Sequence, residues 1–353
     1  MSELFSDFEI RGTRFRNRVF VSPMCQYSAI DGLPQAWHLV HLGSRAVGGA
    51  GLVMAEATAV SAQGRISPRD TGIWNQEQCD AWIPIVRFIR EQGAVPGIQL
   101  AHAGRKASTD VPWLGGHPLS LDAGGWRAIA PSALPFAEGY PIPEPLDASG
   151  IAHLEDAFVG ATRNAWKVGF EVLELHFAHG YLLHEFLSPL SNHRQDQYGE
   201  SREGRMRLPL RIVEAVRNVW PDDYPLFVRL SVTDWIPGGW DLESSIVFTR
   251  ALGARGVDLV DCSSGGILPS ASIPVGPGYQ TRFAEVIRRE TGMHTGAVGL
   301  ITDAIQAEHI IRTGQADAVF LARAELRQPY WPLEAAGRLG ATCVWPPPYA
   351  RAR

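Results

Sequence analysis

A single parallel (β/α)8 barrel with a long capping loop after its third strand is the fold this sequence predicts, on three observations. Eight short apolar runs rich in β-formers alternate with segments of helical period, the pattern of parallel strands joined by crossover helices. Eight is the number of strands that closes such a barrel. The first run is followed by Ser22-Pro23-Met24-Cys25 instead of the glycine fingerprint expected of the competing doubly wound sheet.

The strands are expected at 17–22, 51–60, 95–101, 171–177, 226–231, 257–262, 295–298 and 318–321. Between them, Trp82, Ile85, Val86 and Ile89 fall on one helical face, as do Ile212, Val213, Val216, Val219 and Trp220. A further helix beginning near Thr302 carries Ala304, Ala307, Ile311 and Gly314 on its inner stripe. The alternation breaks at 109–150, where seven prolines and six glycines accompany Trp113, Trp126 and Tyr140. A connection this long is a functional loop or a linker, and its aromatics favour an ordered excursion over the barrel mouth. No repeat or boundary divides the chain, so residues 1–353 read as one domain with a C-terminal arm at 341–353.

With 45% hydrophobic and 20% charged residues the chain is globular, not disordered. A net charge of −5 and the lack of any basic run argue against nucleic acid as a partner. No apolar stretch approaches the ~18 residues of a membrane span, so no membrane association is expected. The segment Met1-Ser2-Glu3-Leu4-Phe5 has neither a basic nor an apolar signal region, and Cys25, Cys79, Cys262 and Cys343 show no CxxC spacing. The simplest reading is a cytoplasmic protein without a disulfide framework. Of 32 basic residues all but Lys106 and Lys167 are arginine, which reads first as codon bias.

Barrel active sites lie at the carboxyl ends of the strands. Those positions hold Pro23, Met24, Cys25 and Tyr27, then Ala57, Gln99 and His102, then His176, His179 and Tyr181, then Arg229, Cys262, Gly299 and Arg323. The set is rich in donors and poor in the paired acids of glycoside chemistry or the oxygen ligands of hard metals. Two imidazoles leaving one strand, His176 and His179, can donate to an oxygen that gains charge; the competing role is a polar core filler. A zinc site is the weaker reading, because His-x-x-His supplies two ligands and no HExxH motif or cysteine pair accompanies it, so no metal is expected. At the last two strands, Thr295-Gly296-Ala297-Val298-Gly299 and Phe320-Leu321-Ala322-Arg323 offer close backbone approach and a guanidinium for a phosphate. Donors at the central strands and an anion site at the last two describe a phosphorylated cofactor with an electron-accepting ring, and flavin mononucleotide (FMN) fits.

Several stretches carry a family resemblance: Ser22-Pro23-Met24-Cys25-Gln26-Tyr27, Gln99-Leu100-Ala101-His102-Ala103-Gly104-Arg105-Lys106-Ala107, and His176 through Leu187-Ser188-Pro189-Leu190-Ser191-Asn192-His193-Arg194. Pro225-Leu226-Phe227-Val228-Arg229 and Val257-Asp258-Leu259-Val260-Asp261-Cys262-Ser263-Ser264 extend it. Over essentially its whole length the chain resembles the old yellow enzyme family of FMN-dependent ene-reductases, in the cysteine-bearing bacterial branch similar to NADPH dehydrogenases and xenobiotic reductases. The resemblance implies NADPH (or NADH) as electron donor and an enone or nitro compound as small-molecule substrate, reduced in a ping-pong sequence. It implies that Ser22, Pro23, Met24, Cys25, Ala57 and Gln99 contact the flavin ring, that Arg229 lies near its N1 and O2, and that Gly299, Ala322 and Arg323 hold the phosphate. His176 and His179 would bind the substrate oxygen, Tyr181 would protonate Cα, and Tyr27 and Lys106 would line the substrate side. Cys25 replaces the threonine of many relatives and is expected to tune the redox potential, since a thiol donates more weakly than a hydroxyl.

The tail Trp345-Pro346-Pro347-Pro348-Tyr349-Ala350-Arg351 suggests a stiff polyproline arm. The resemblance implies a homodimer or dimer of dimers in which Arg351 reaches the partner's active site; the plain alternative is a solvated tail. Two departures stand out. Ala322 replaces a glycine and is expected to narrow the approach to the phosphate, and the common Gly-Gly-Ser spelling becomes Gly199-Glu200-Ser201.

Overall fold

In the computed structural model, residues 2–352 are described. Eight parallel strands close a barrel: β1 (Val19–Val21), β2 (Leu52–Ala59), β3 (Val95–Ala101), β4 (Val172–Phe177), β5 (Leu226–Ser231), β6 (Leu259–Ser263), β7 (His294–Ala297) and β8 (Ala318–Leu321), each beside its neighbour in sequence, with β8 pairing β1. The crossovers are α1 (Ala36–Val47), α2 (Gln76–Glu91), α3 (Ala148–Val168), α4 (Arg202–Arg217), α5 (Leu242–Gly253), α6 (Thr281–Thr291) and α7 (Ala304–Arg312), and α8 (Trp331–Arg338) follows the last strand. Short helices at Leu182–Leu187 and Arg323–Arg327 follow β4 and β8. Among the described residues no helix is long and apolar enough to cross a membrane.

The strand sequences divide into two sets because successive side chains point to opposite faces. Val19, Val21, Val53, Ile98, Leu173, Leu175, Val228, Val260 and Val319 pack outward in the core shared with the helices. Their alternates Phe20, Leu52, Val95, Val172, Phe227, Leu259 and Phe320 fill the floor of the lumen. An antiparallel hairpin, Phe8–Ile10 against Thr13–Phe15, plugs that floor, with Phe15 and Phe20 ring centroids 4.8 Å apart. Two residues further along, and four in β3, the same inward register delivers polar side chains instead: Ser22, Gln99, Glu174, Arg229 and Asp261, and above them His176, Ser231 and Ser263, all buried.

Three sequence expectations shift. α4 ends at Arg217, so Val219 and Trp220 pack just beyond it, ahead of the turn at Pro221. α7 ends at Arg312, and Gly314 adopts φ 72°, which closes the turn instead of continuing the helical stripe. The capping excursion ends at Asp147, whose side chain accepts from Gly150 N to cap α3. It is tied to the barrel: Arg105 Nη1 donates to Leu134 O and Pro135 O (3.4 Å each), Arg194 Nη1 donates to Pro131 O (3.1 Å), and Trp126 Nε1 donates to Gln63 O (2.9 Å).

The C-terminal arm differs more. Pro347–Ala352 is a 3-10 turn, not an extended polyproline arm. Proline's φ suits both, so ψ decides, and here the coil places Tyr349 against Tyr330 with ring centroids 5.9 Å apart.

Candidate active site

The site is assembled from strand ends. Ser22 continues the inward register of β1 and its buried Oγ has no hydrogen-bond partner. The chain then turns over the mouth through Met24–Tyr27, anchored by Gln26 N donating to Glu56 Oε2 (2.8 Å). Glu56 Oε1 also lies 3.0 Å from His38 Nε2 of α1, in distance but not in hydrogen-bond alignment, while His38 Nδ1 accepts from Gln35 N at 2.8 Å. A β-bulge between Ala55 and Ala57 sits at Glu56 and brings Ala57 into register with Gln99. Burial pushes the Cys25 thiol well above its ordinary pKa, so it is a neutral thiol rather than a nucleophilic thiolate. Tyr27, at φ 48°, meets Trp113 of the capping loop edge-on at 6.0 Å.

Below the mouth lies a charged layer. Gln99 Nε2 donates to Glu174 Oε1 at 2.7 Å, and Arg229 Nε lies 3.1 Å from Asp261 Oδ2. Burial pushes Glu174 up to about 8, and burial outweighs the Arg229 charge in raising Asp261 to about 6.

At the end of β4, His176 and His179 stand edge to face with ring centroids 5.1 Å apart, and Tyr181 meets His176 at the same separation. Burial, reinforced by nearby cationic groups, drives both imidazoles well below their ordinary pKa, so both are neutral. Burial raises the Tyr181 phenol well above its ordinary value, so it keeps its proton. His176 Nδ1 is buried without a partner; His179 Nε2 shares a 2.7 Å hydrogen bond with Ser263 Oγ. His179 adopts φ 60°, and its amide donates to Ser231 Oγ at 2.9 Å. Gly180 and Gly266 pack back to back: a Cβ on Gly180 would meet Gly266 O at 2.1 Å, and one on Gly266 would meet His179 Cα at 2.6 Å. Lys106 Nζ clamps this junction, donating to His179 O (2.9 Å) and Gly266 O (3.3 Å) while lying 5.2 Å from the Tyr181 ring centroid and 4.6 Å from that of Phe136. Burial lowers Lys106 to about 8.

A cavity of about 150 Å³ opens at the ends of β6 to β8, lined by Ser263, Tyr279, Gln280, Gly299, Ala322 and Arg323 among others. Gly299 sits at φ 123°, and a Cβ there would lie 2.9 Å from Gln280 Nε2 and 3.0 Å from the Tyr279 ring. The bare backbone is thus required to keep the cradle open. Ala322 has φ −110°, a value open to any residue, so the missing glycine imposes no left-handed strain at this position. Glu200 is the more costly departure, because it occupies φ 57° where glycine is at ease.

These residues fit an FMN: the unpartnered Ser22 hydroxyl, the Gln99 amide and the Arg229 guanidinium suit the ring's polar edge, and the Gly299 cradle with Arg323 at its exposed rim suits the phosphate. Of the residues singled out from sequence, Ser22 to Cys25, Tyr27, Ala57, Gln99, Lys106, His176, His179, Tyr181 and Arg229 cluster at the barrel mouth, with Gly299, Ala322 and Arg323 beside them. Arg351 is exposed on the C-terminal turn, and no hydrogen bond, ion pair or ring contact joins it to them. Cys262, one of the strand-end positions, faces outward into the helix layer, where it packs and does not join the site. The structure adds Glu56, Glu174, Asp261, Ser263 and Gln280. A carboxylate inside an apolar strand run was the available signal for the first three; nothing local marked Gln280.

A closed parallel barrel with neutral donors over its mouth and a cradle at β7 and β8 defines the class of barrel oxidoreductase that works through a bound phosphorylated cofactor. The chain belongs to the NADH:flavin oxidoreductase / NADH oxidase family, which it matches over residues 3–340. It is 49% identical over 341 residues to the NADPH dehydrogenase of Geobacillus sp. (strain WCH70), covering 96% of this chain and 95% of that one. Among solved structures it superposes on morphinone reductase with a TM-score of 0.80 at 27% identity, covering 98% and 92% of the two chains. An old yellow enzyme homologue from Zymomonas mobilis gives a TM-score of 0.80 at 25% identity, covering 97% and 94%.

Proposed function

We propose that this protein is an FMN-dependent NAD(P)H oxidoreductase that reduces carbon–carbon double bonds conjugated to a carbonyl or nitro group. The observation that carries this reading is the pair of neutral imidazoles, His176 and His179, set beside the protonated Tyr181 phenol above Arg229. Bound FMN supplies the hydride acceptance and donation that no side chain can.

The residues do the rest. Arg229 places a permanent positive charge where the reduced ring gains negative charge. Each neutral imidazole offers one N–H. If Ser263 Oγ donates to His179 Nε2, the remaining proton of His179 sits on Nδ1 and is free for a substrate oxygen. Such donors act mostly as charge develops on that oxygen, so they favour the transition state over bound substrate. Tyr181 holds the proton destined for Cα. Lys106, on the substrate side where the resemblance puts it, also braces the loop bearing His179 and Tyr181 through two carbonyls, a positioning role.

Residues 109–147 roof this mouth, with Trp113 against Tyr27 and Phe136 against Lys106. As finer points of the same reading, the protein works in the cytoplasm as a homodimer, and Arg351 completes the partner's substrate pocket; truncation after Tyr349 should then raise the substrate KM, and wild-type kinetics in a proven dimer would reject this. The main reading is tested by the purified protein's colour: a yellow preparation bleached anaerobically by NADPH and recoloured by cyclohexenone is expected. A protein that is colourless after FMN reconstitution, or yellow but not bleached by NADPH or NADH, would overturn it.

A further inference from the structure

The layer beneath the mouth carries a charge count that the proposed reaction leaves unexplained. Glu174 and Asp261 are both fully buried, and Arg229 is the one cation among them. Glu174 Oε1 accepts from Gln99, but Glu174 Oε2 and both Asp261 oxygens lack a hydrogen bond, as does Arg229 Nε despite its 3.1 Å approach to Asp261. The approach satisfies distance but not alignment. On the inward register stand also His176, which is neutral, above Glu174, and His294 at the opposite end of the lumen against Phe8. Two buried carboxylates facing one guanidinium cannot both stay ionised at low cost, so the layer is neutral only when the pair keeps one proton.

On the flavin reading above, two-electron reduction adds a negative charge beside this same guanidinium. We propose that Glu174 and Asp261 form a proton-accepting site that holds one proton when the flavin is oxidised and takes up a second when it is reduced. The hydride delivered by NADPH carries both electrons and one proton to the ring. The additional proton comes from water, binds a carboxylate oxygen whose share of Arg229 has been withdrawn, and returns to water when the hydride leaves for the alkene. The raised proton affinities of Glu174 and Asp261 agree with this, since a pair poised near neutral pH can change occupancy there.

The test is spectroelectrochemistry of the FMN-loaded protein between pH 5.5 and 9. Each proton taken up per two electrons shifts the potential by about 30 mV per tenfold change in proton concentration. The wild type should show twice that slope over at least one pH unit around neutrality; Glu174→Gln, which fixes the resident proton in place, should keep the double slope through Asp261, and Glu174→Gln/Asp261→Asn should show the single slope throughout. Redox-difference infrared spectra should gain the carbonyl band of an un-ionised carboxylic acid on reduction, and Glu174→Gln/Asp261→Asn should lack that gain. If the double variant fails to fold, the wild-type slope and the wild-type carboxylic acid band decide the question by themselves. A single slope in the wild type with no new carboxylic acid band would overturn the proposal while leaving the flavin reading intact; failure to bind FMN would sink the flavin reading itself.

Discussion

Replacing His176 and His179 by alanine, singly and together, tests the proposed chemistry most directly. His176 Nδ1 has no partner, so His176→Ala orphans nothing there; its structural cost is the packing lost against the His179 and Tyr181 rings. His179→Ala leaves Ser263 Oγ with only a 3.5 Å contact to Gln280, and so costs more stability. Neither change touches the Gly299 cradle, so FMN content should be retained. Removing one preorganised donor to a developing oxyanion costs about 2.7–4 kcal/mol, or about a hundredfold to a thousandfold in rate. The double variant should lose less than the sum, because the two donors serve one oxygen. The assay is anaerobic stopped-flow reoxidation of the NADPH-reduced enzyme by cyclohexenone, with bound flavin quantified by absorbance. Because burial keeps both imidazoles neutral, the wild-type rate should not fall as pH rises through 6.5, as it would if charged imidazolium groups were the donors. A double variant within tenfold of wild type at full flavin content would refute the assignment.

Lys106→Met removes two charge-assisted bonds to carbonyls and should slow enone turnover about tenfold with FMN content unchanged, while Lys106→Arg keeps a cation. Since burial lowers Lys106 to about 8, wild-type turnover should decline as pH rises through that value, and steady-state rates across pH 6 to 10 check it. Glu185 is buried, with Oε1 accepting from Arg105 N and Oε2 unpartnered, and burial raises it from 4.5 to about 8. A raised carboxyl stabilises the fold below its unfolded pKa and loses that contribution as pH climbs through its folded value. Glu185→Gln should therefore gain at least about 1 kcal/mol over wild type between pH 5 and pH 9 in urea titrations. Glu200→Gly should stabilise by about 0.5–1 kcal/mol, the left-handed strain relieved less the backbone entropy glycine adds, in the same assay.

Much of this protein was written in local pattern. The carboxyl ends of the apolar runs put Pro23, Gln99, His176, Arg229 and Arg323 at one end of a barrel from sequence. Where an apolar run stops is a property of the local sequence, whatever the neighbouring strands do. The Ser22–Tyr27 and His176–Tyr181 stretches, with the resemblance they carry, supplied the chemistry. What the sequence could not rank was the meaning of an acid in an apolar run: Glu56, Glu174 and Asp261 look alike there. Only closure of the barrel, which sets β4, β5 and β6 side by side in a fixed register, puts Glu174 and Asp261 around one guanidinium, while the bulge in β2 turns Glu56 toward His38 and Gln26. The same holds for Lys106, whose neighbours His179 and Gly266 come from other loops, and for the C-terminal prolines, whose φ is fixed by covalent structure but whose ψ is chosen by what they pack against. Side-chain identity and alternation are local and legible; counter-charges and loop contacts belong to the tertiary structure, because they depend on which distant strands and loops closure brings together.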